Sequence, residues 1–510
     1  LSMRRLFLSR FNKTRLSIKD MPRSYTIYAV FASALAVRLA FMLLVVPIDF
    51  AWDSYHRWQI AYYTLNIGIQ NGRMWDLFGM EYFWGILPEL MEAFLLWLFN
   101  TSSILPFRIF NSVLGSASVC LLYNISKRYY GVNIAFLSSA LAAVCPPLVI
   151  WDTVALDGTL GVFFLLASLY FYKDRQYLCG IALGLASMCR VEFYFLSLGV
   201  CFCHLIFEKS ATKFVPAILG WLTIMTPYLW FIQRGTGDWL YQIRWNYLAS
   251  MGTWGYSPTW FEESVPWRVL WGAVLAATAG SLVFLRRKSP SDYMVSVLFL
   301  GYALFQGIVY TFSVTRYILA VDMLSIMLGL QNIRFVPDFF FVTILISRLV
   351  NWSRIRSAPQ KSAVRAHRKQ LISSILILLF LAWLMVDVPS SNKMSQDLKS
   401  SWWDSIDRSN IVSQYRGGRI IVDPGNPQIV YHLVQQGISY KNILGSLYCP
   451  RGDRPESLAW FKNENATWYI HIQGYLIFPE LDEGKGLPPF HLAYDEGAIR
   501  IYKVTWESAE

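Results

Sequence analysis

The chain is poor in charge for its length: of its 510 residues, only 15% are charged, whereas 55% are hydrophobic. A soluble globular domain carries about 25% charged residues. This deficit excludes a disordered chain, a fibrous repeat and an ordinary cytosolic enzyme. The apolar excess has to face lipid, and we therefore predict a polytopic membrane protein.

The sequence also lacks the motifs of several enzyme classes. It contains no Walker lysine motif, no GxSxG, no HExxH and no paired CxxC, which disfavours an ATP-driven pump and a zinc hydrolase. Only Cys449 of the seven cysteines lies in the polar tail, so the tail holds no internal disulfide. No ligand spacing predicts a metal site, although participation of a divalent cation stays open.

The net charge of +12 comes from short Lys and Arg clusters between apolar runs, not from one basic stripe. This distribution follows the positive-inside rule and does not predict a nucleic-acid partner. The basic segment 1–24 is predicted to be cytoplasmic, followed by a retained first helix rather than a cleaved signal peptide. Within 25–388 we expect roughly ten to twelve crossings of a plasma membrane, with 48–83 and 234–265 facing outward.

That topology makes two demands on the membrane domain. The stretch 84–100, which holds Glu89 and Glu92, must not cross fully or must pair with a short partner. The stretch 178–206 must be interrupted near Arg190. Both demands arise because charged groups inside a membrane are costly unless they are paired or line a cavity.

The composition changes at about residue 389, which predicts a small extracytoplasmic α/β domain over 389–510. Residues 419–423, 467–472 and 499–504 have the pattern of buried strands, and 427–436 that of a short helix. The histidines of this tail have no cluster spacing and are interpreted as structural or surface residues.

The segment after the first helix holds the most informative polar pattern. Asp49 and Asp53 are four residues apart and share one face if the segment is helical, with His56 and Arg57 beside them. A carboxylate there can deprotonate an acceptor hydroxyl, and a neighbouring cation can hold a phosphate. The alternative is a solvated loop with interfacial aromatic residues.

Further charged residues interrupt or border apolar runs: Asp152, Asp157, Arg190, Arg234 and Arg316. A buried Arg pairs with a carboxylate or binds a phosphate, and the sequence leaves both roles open for Arg190. Arg316 either binds a lipid phosphate or snorkels to the head groups, with Asp322 as its structural partner. The two acids either line a cavity or belong to a short polar loop. Arg234 lies in an outer loop whose aromatic and polar residues suit contact with a sugar or a lipid phosphate, or an interfacial re-entrant loop.

In order along the chain, these features resemble the GT-C superfamily of integral-membrane glycosyltransferases, over roughly residues 25–330. The branches that it resembles are the polyprenyl- or dolichyl-phosphate-mannose mannosyltransferases and the aminoarabinose transferases. The resemblance rests on Ala36-Val-Arg38-Leu-Ala, the acids after it, Pro106-Phe-Arg-Ile-Phe-Asn-Ser, Lys127-Arg-Tyr-Tyr-Gly, Gly184-Leu-Ala-Ser-Met-Cys-Arg190, Met225-Thr-Pro-Tyr and Arg316-Tyr-Ile-Leu.

The resemblance implies an inverting transfer of a mannose-like sugar from a polyprenyl- or dolichyl-phosphate donor to an acceptor hydroxyl on the outer membrane face. The acceptor is a glycan, a lipid or a protein. It also implies that Asp53, with Asp49 as second choice, is the base. Donor phosphate or substrate binding falls to Arg190 and Arg316, with Arg57, His56, Arg234, Asp152 and Asp157 as further candidates.

The sequence departs from this group in two places. The usual adjacent acidic pair is replaced by Asp49 and Asp53, and the His-Pro-Pro-Leu-Gly type motif becomes Trp84-Gly-Ile-Leu-Pro-Glu89. The rival hypotheses are a transporter or flippase of a lipid-linked or anionic substrate, and a non-catalytic assembly subunit. A transporter also places Arg and Asp within membrane helices.

Overall fold

The structure, a computed structural model, describes residues 23–69, 74–75, 85–206, 208–248, 389, 391–450, 454–474, 477–484, 486–496 and 499–506. The crossings expected after residue 248, most of the outer loop 234–265 and Arg316 lie outside the described residues. The expected count of ten to twelve crossings therefore rests partly on those residues and stays a prediction.

A bundle of helices forms the N-terminal half of the chain. Its members are α1 (Arg23–Leu44), α2 (Trp52–Ile67), α3 (Ile86–Leu98), α4 (Leu105–Tyr130), α5 (Val132–Val144), α6 (Pro146–Trp151), α7 (Gly158–Phe171), α8 (Gln176–Ser187), α9 (Glu192–Ile206), α10 (Ala211–Thr236) and α11 (Tyr241–Leu248). By length and composition, α1, α4 and α10 are long and apolar enough to cross a membrane. Helices α5, α7, α8 and α9 are apolar but shorter. The protein is an integral membrane protein.

Both demands of the predicted topology are met. Helix α3 has 13 residues, fewer than the roughly 20 that a crossing needs, and it buries Glu89 and Glu92. Helix α8 ends at Ser187 and α9 begins at Glu192, so the apolar run 178–206 is broken around Arg190. The charged residues therefore lie in a short helix, α3, and in the break between α8 and α9.

The basic loops that the structure describes gather at one end of the bundle. At the end of α4, Arg128 forms an ion pair with Asp174, between α7 and α8. The Tyr172 ring next to Asp174 stacks on His204 at 4.0 Å, close to the loop that joins α9 and α10. Grouping of basic loops at one end is what the positive-inside rule predicts.

Helices α8 and α10 pack closely through small residues. A Cβ atom on Gly180 would overlap the carbonyl oxygen of Ala217, and one on Gly220 would overlap that of Tyr177. Small residues at such a crossing let two helix backbones approach, which is how van der Waals packing holds helices together in lipid. This contact fixes α8, and therefore the position of the loop that carries Arg190.

The tail is the small α/β domain that its composition predicts. Its elements are a helix over 391–398, a π-helical turn (Lys399–Trp403), α12 (Asp404–Arg408), α13 (Ile411–Gln414), β1 (Arg419–Val422), α14 (Pro427–Gln435), β2 (Ile443–Gly445), α15 (Arg454–Asn463), β3 (Ala466–Ile472), β4 (Phe490–Glu496) and β5 (Ile499–Val504). The strand order is β2-β1-β3-β5-β4. β1 is parallel to β2 and β3, whereas β5 is antiparallel to β3 and β4.

The tail docks on the bundle through α14 and α2. The Trp58 ring meets the Tyr431 ring edge to face at 4.8 Å. The carbonyl oxygen of Ser102 accepts hydrogen bonds from Trp58 Nε1 at 2.7 Å and Gln435 Nε2 at 2.9 Å. The tail and α2 therefore lie at the same end of the bundle, opposite the basic loops.

Candidate active site

A buried ionic network lies where α2, α3 and the loop before α7 meet. Arg57 Nη1 is 2.8 Å from Glu89 Oε1, and Arg57 Nη2 is 2.9 Å from Asp157 Oδ2. Arg190 Nη1 is 3.3 Å from Asp157 Oδ1. Arg57, Glu89 and Asp157 are each at most 1% exposed. Arg190 is 12% exposed. Arg190 is therefore the member of the network that an incoming ligand reaches most easily.

A third carboxylate, Glu92, lies one turn beyond Glu89 on α3. It is fully buried, and neither carboxylate oxygen has a hydrogen-bond partner among the described residues. Two guanidinium groups therefore face three buried acids. An unpaired buried carboxylate is costly, so its presence here marks a polar centre instead of ordinary packing.

The loop that carries Asp157 is held by buried polar side chains. Asp152 forms an ion pair with Arg38 of α1 at 2.7 Å. Asn111 Nδ2 donates to the carbonyl oxygens of Val154 and Leu156, both at 2.8 Å. These bonds satisfy loop backbone groups that have no partner in a helix, and they fix Asp157 at the start of α7.

Asp49 anchors this same loop. Its Oδ2 accepts a hydrogen bond from the Ala155 amide at 2.7 Å, and its Oδ1 accepts one from the Ala51 amide at 2.9 Å. Burial raises the pKa of the Asp49 carboxyl, and the nearby Arg108 guanidinium opposes this shift. With both oxygens used by the backbone, Asp49 has the surroundings of a positioning residue.

Asp53 lies in the first turn of α2 and is half-buried, so it remains accessible to solvent. It is one turn before Arg57 and on the same helix face, as the spacing predicts. His56 is buried, and burial together with the Arg57 charge lowers its pKa to about 3. The imidazole is neutral near pH 7, so it supplies no positive charge for a phosphate.

The remaining predicted site residues lie apart from the network. Asp152 is occupied by Arg38 and accepts a hydrogen bond from the Thr159 hydroxyl at 2.9 Å, which makes it a structural residue. Arg234, exposed in the last turn of α10, lies 5.5 Å from the Trp230 ring centroid. The structure brings together Arg57, Asp157 and Arg190, with Asp53 one helical turn away.

Sequence reasoning missed the pairing partner of Arg57 and the role of Arg108. The sequence indicates that Glu89 has to avoid the lipid and makes it a possible second acid of the site, but it does not indicate that Glu89 forms one of the two ion pairs of Arg57. Arg108 donates to the carbonyl oxygens of Val46 at 2.6 Å and Thr153 at 2.9 Å, and so joins the two loops. The available signal was a charged residue within an apolar run.

A second buried polar cluster lies in the tail, around His471. Its Nδ1 is 2.7 Å from Asp423 Oδ2 and its Nε2 is 2.7 Å from Asp482 Oδ1. Burial alone would lower the pKa of His471, but the hydrogen bonds and charges of these two acids outweigh it and raise the pKa. The cluster ties β3 to the end of β1, as expected for a structural histidine. Among the described residues, no group of three or more His, Cys, Asp or Glu side chains is placed to hold a metal ion.

A known family model matches part of the chain. Residues 85–232 match the model of a dolichyl-phosphate-mannose-protein mannosyltransferase family. This range contains Glu89, Asp157 and Arg190. No curated protein sequence matches the chain significantly.

Solved structures resemble nearly the whole chain in fold. ArnT from Cupriavidus metallidurans matches with a TM-score of 0.57 in the apo state and 0.55 bound to undecaprenyl phosphate. Both alignments cover 94% of this chain and 98% of ArnT, at 10% and 9% identity. The oligosaccharyltransferase AglB from Archaeoglobus fulgidus, in complex with an inhibitory peptide and a dolichol-phosphate, matches at 0.51 with 10% identity over 88% of this chain and 70% of AglB. The chain thus has the fold of the GT-C superfamily of integral-membrane glycosyltransferases.

Proposed function

We propose that the protein transfers a sugar from a polyprenyl- or dolichyl-phosphate-linked donor to an acceptor hydroxyl. The observation that carries the proposal is the buried network of Arg57, Arg190, Glu89 and Asp157, one helical turn from a solvent-accessible Asp53. The network combines fixed cations with a separate carboxylate, which are the two requirements of transfer from a phosphate-linked donor. The likeness to ArnT with undecaprenyl phosphate and to AglB with dolichol-phosphate supports this donor class.

The leaving group of such a donor is a lipid phosphate, whose negative charge grows as the glycosidic bond breaks. Arg190 is held by Asp157 at 3.3 Å and is the more exposed of the two guanidinium groups, so we assign it to the donor phosphate. A preorganised cation stabilises developing charge without reorganising at the moment of reaction. Arg57 and Asp157 then act as positioning residues that hold the Arg190 side chain in place.

Asp53 is assigned as the base that takes the proton of the acceptor hydroxyl. It is half-buried at the start of α2, whereas Asp49 has both oxygens bonded to backbone amides. A direct displacement by the acceptor oxygen inverts the anomeric centre. Arg316 lies outside the described residues and remains a proposed second phosphate ligand.

We further propose a mannose-like donor sugar and the topology predicted from the basic clusters. The basic loops lie in the cytoplasm, and the network and the tail face outward across the plasma membrane. Residues 1–24, 25–388 and 389–510 are then the cytoplasmic N-terminus, the membrane domain and the extracytoplasmic domain. The grouping of Arg128 and Asp174 at one end and the tail at the other supports this orientation.

The test is transfer by the full-length protein in nanodiscs, supplied with radiolabelled polyprenyl-phosphate mannose and with glycan, lipid or protein acceptors. We expect Asp53→Asn and Arg190→Gln each to lower kcat/KM by at least about 100-fold, in the range of a lost general base or charge stabiliser. Asp174→Asn is the matched control, since Asp174 is exposed at the opposite end. Equal transfer by Asp53→Asn and the parent removes Asp53 from the reaction.

The transporter hypothesis makes a different prediction in the same preparation. A flippase moves the lipid-linked sugar between leaflets without breaking its phosphate bond, so the label stays on the lipid. The transferase proposal would be contradicted if the donor is translocated in proteoliposomes but is not cleaved with any class of acceptor. This outcome would favour the transporter.

A further inference from the structure

A cleft of about 510 Å³ lies between α2 and the tail, on the helix face opposite the ionic network. Gln59 and Tyr63 line it from α2, and Tyr440, Tyr448 and Trp460 line it from the tail. Gln59 follows Arg57 by two positions, which corresponds to a rotation of about 200° around the helix. The cleft is therefore distinct from the network that holds the donor phosphate.

Aromatic rings dominate the walls of this cleft. The Tyr63 ring lies 4.4 Å from the Trp75 ring and 5.1 Å from the Tyr440 ring, centroid to centroid. On the tail side, Tyr448 lines the cleft and is 41% exposed. Aromatic faces are electron-rich and attract the weakly positive C–H groups that a pyranose ring presents on its flat sides.

Two polar side chains of α2, Gln59 and Tyr63, also line the cleft. The side chains of Gln59 and Tyr63 are each only 5% exposed. Apart from each other, the Gln59 amide oxygen and the Tyr63 hydroxyl have no hydrogen-bond partner among the described residues. Buried polar atoms are normally hydrogen-bonded, and the hydroxyls of a ligand beside these two side chains would supply further partners.

The charge and size of the cleft favour an uncharged or weakly acidic ligand. Arg419 is engaged by Glu464, which leaves Lys441 as the further cation on the rim. A volume of about 510 Å³ lies within the roughly 300–1,000 Å³ of small-molecule sites and accommodates a short oligosaccharide. A lipid tail is disfavoured, because it would place apolar chain against the polar and charged side chains of Gln59, Lys441 and Glu464.

We propose that this cleft binds pyranose residues of the acceptor glycan, away from the hydroxyl that reacts. The identification of this glycan as the acceptor rests on the proposed glycosyltransferase function. Binding of the glycan to the cleft does not depend on transfer. Gln59 and Tyr63 donate and accept hydrogen bonds to ring hydroxyls, and the tyrosine and tryptophan rings of the tail stack against the sugar. These are specificity residues, because none of them touches the reacting atoms.

The experiment measures binding of neutral hexose oligosaccharides of two to four residues to the full-length protein in nanodiscs, by calorimetry. We expect Gln59→Leu and Tyr448→Ala each to weaken binding about fivefold, which corresponds to the loss of about 1 kcal/mol. Tyr170→Ala is the matched control, since Tyr170 is exposed on α7. No binding by the parent protein, or equal affinity in the two cleft variants and the parent, overturns the proposal.

A transfer assay separates this inference from the proposed function. With a glycan acceptor, the cleft variants should raise the acceptor KM about fivefold and leave kcat and the donor KM unchanged, whereas Asp53→Asn lowers kcat. A protein that binds glycans through the cleft but transfers no sugar would keep the cleft assignment and refute the transferase. If acidic oligosaccharides bind more tightly than neutral ones, and Lys441→Gln removes this difference in affinity, the ligand is instead an acidic glycan.

Discussion

Replacement of Arg57 by leucine tests whether the ionic network is as interdependent as its geometry indicates. The guanidinium bridges two carboxylates at 2.8 and 2.9 Å, and all three side chains are at most 1% exposed. Removing it leaves Glu89 as a buried charge without its cation, while Asp157 retains Arg190. Breaking a buried ion pair from one side costs about 3–5 kcal/mol.

The expected effect is measurable by thermal unfolding of the purified protein in nanodiscs. The entropy of unfolding is about 2.1 cal/mol/K per residue, so for 510 residues 1 kcal/mol corresponds to about 1 °C in Tm. Arg57→Leu should therefore lower Tm by roughly 3–5 °C. Arg128→Leu is the matched control, because its partner Asp174 is 62% exposed and exposed ion pairs contribute about 0–1 kcal/mol.

A second substitution shows whether the loss of stability comes from Glu89 without its ion-pair partner. Arg57→Leu combined with Glu89→Leu removes both partners, and replacing a buried ion pair with apolar residues is often close to neutral. The double variant should therefore recover most of the lost stability, although not the transfer activity. If it is no more stable than Arg57→Leu alone, or if Arg128→Leu costs as much, the reasoning about the network is refuted.

Three further tests address residues outside the ionic network, and unfolding in nanodiscs is the readout for the first two. Asp49→Asn removes an acceptor from one of two buried amides and should cost about 1–3 kcal/mol. Gly180→Leu should destabilise α8 against α10 far more than Gly199→Leu, because no atom lies near a Cβ at Gly199. The pKa of His471 is raised above 6.5, so its contribution is complete below pH 6.5 and is lost as the pH rises through the folded-state pKa. Protection factors for hydrogen exchange in β3, which correct for the intrinsic pH dependence of exchange, should fall over that range, and His471→Gln should abolish this fall.

Much of the fold followed from the distribution of apolar and charged residues. The interruption near Arg190 was predictable because a lone guanidinium in an apolar run of 29 residues has to reach a polar region, and α8 indeed ends at Ser187. In the tail, β1, β3 and β5 have buried, β-branched patterns. Strand β2 has only three residues and β4 is largely exposed, so neither shows the alternation by which a strand is recognised.

The site was less predictable, because its geometry depends on pairings between distant parts of the chain. Asp49 and Asp53 have the same residue type and similar neighbours in sequence. Only the fold shows that Asp49 accepts two backbone hydrogen bonds whereas Asp53 stays accessible. Likewise, the sequence singled out Arg57 without indicating that Glu89, from another helix, is its partner.

Helix α2 carries both proposed binding surfaces, and this limits the acceptor. Asp53 and Tyr63 are ten residues apart, which is about 15 Å along a helix, and they lie on different faces. The tail packs on α2 between them through the contact of Trp58 with Tyr431, and the helix itself fixes the distance between Asp53 and Tyr63. A single sugar cannot reach both ends at once. Residues in the cleft can therefore affect only acceptors long enough to follow α2 from the base to the tail, and their contribution should vanish for a monosaccharide.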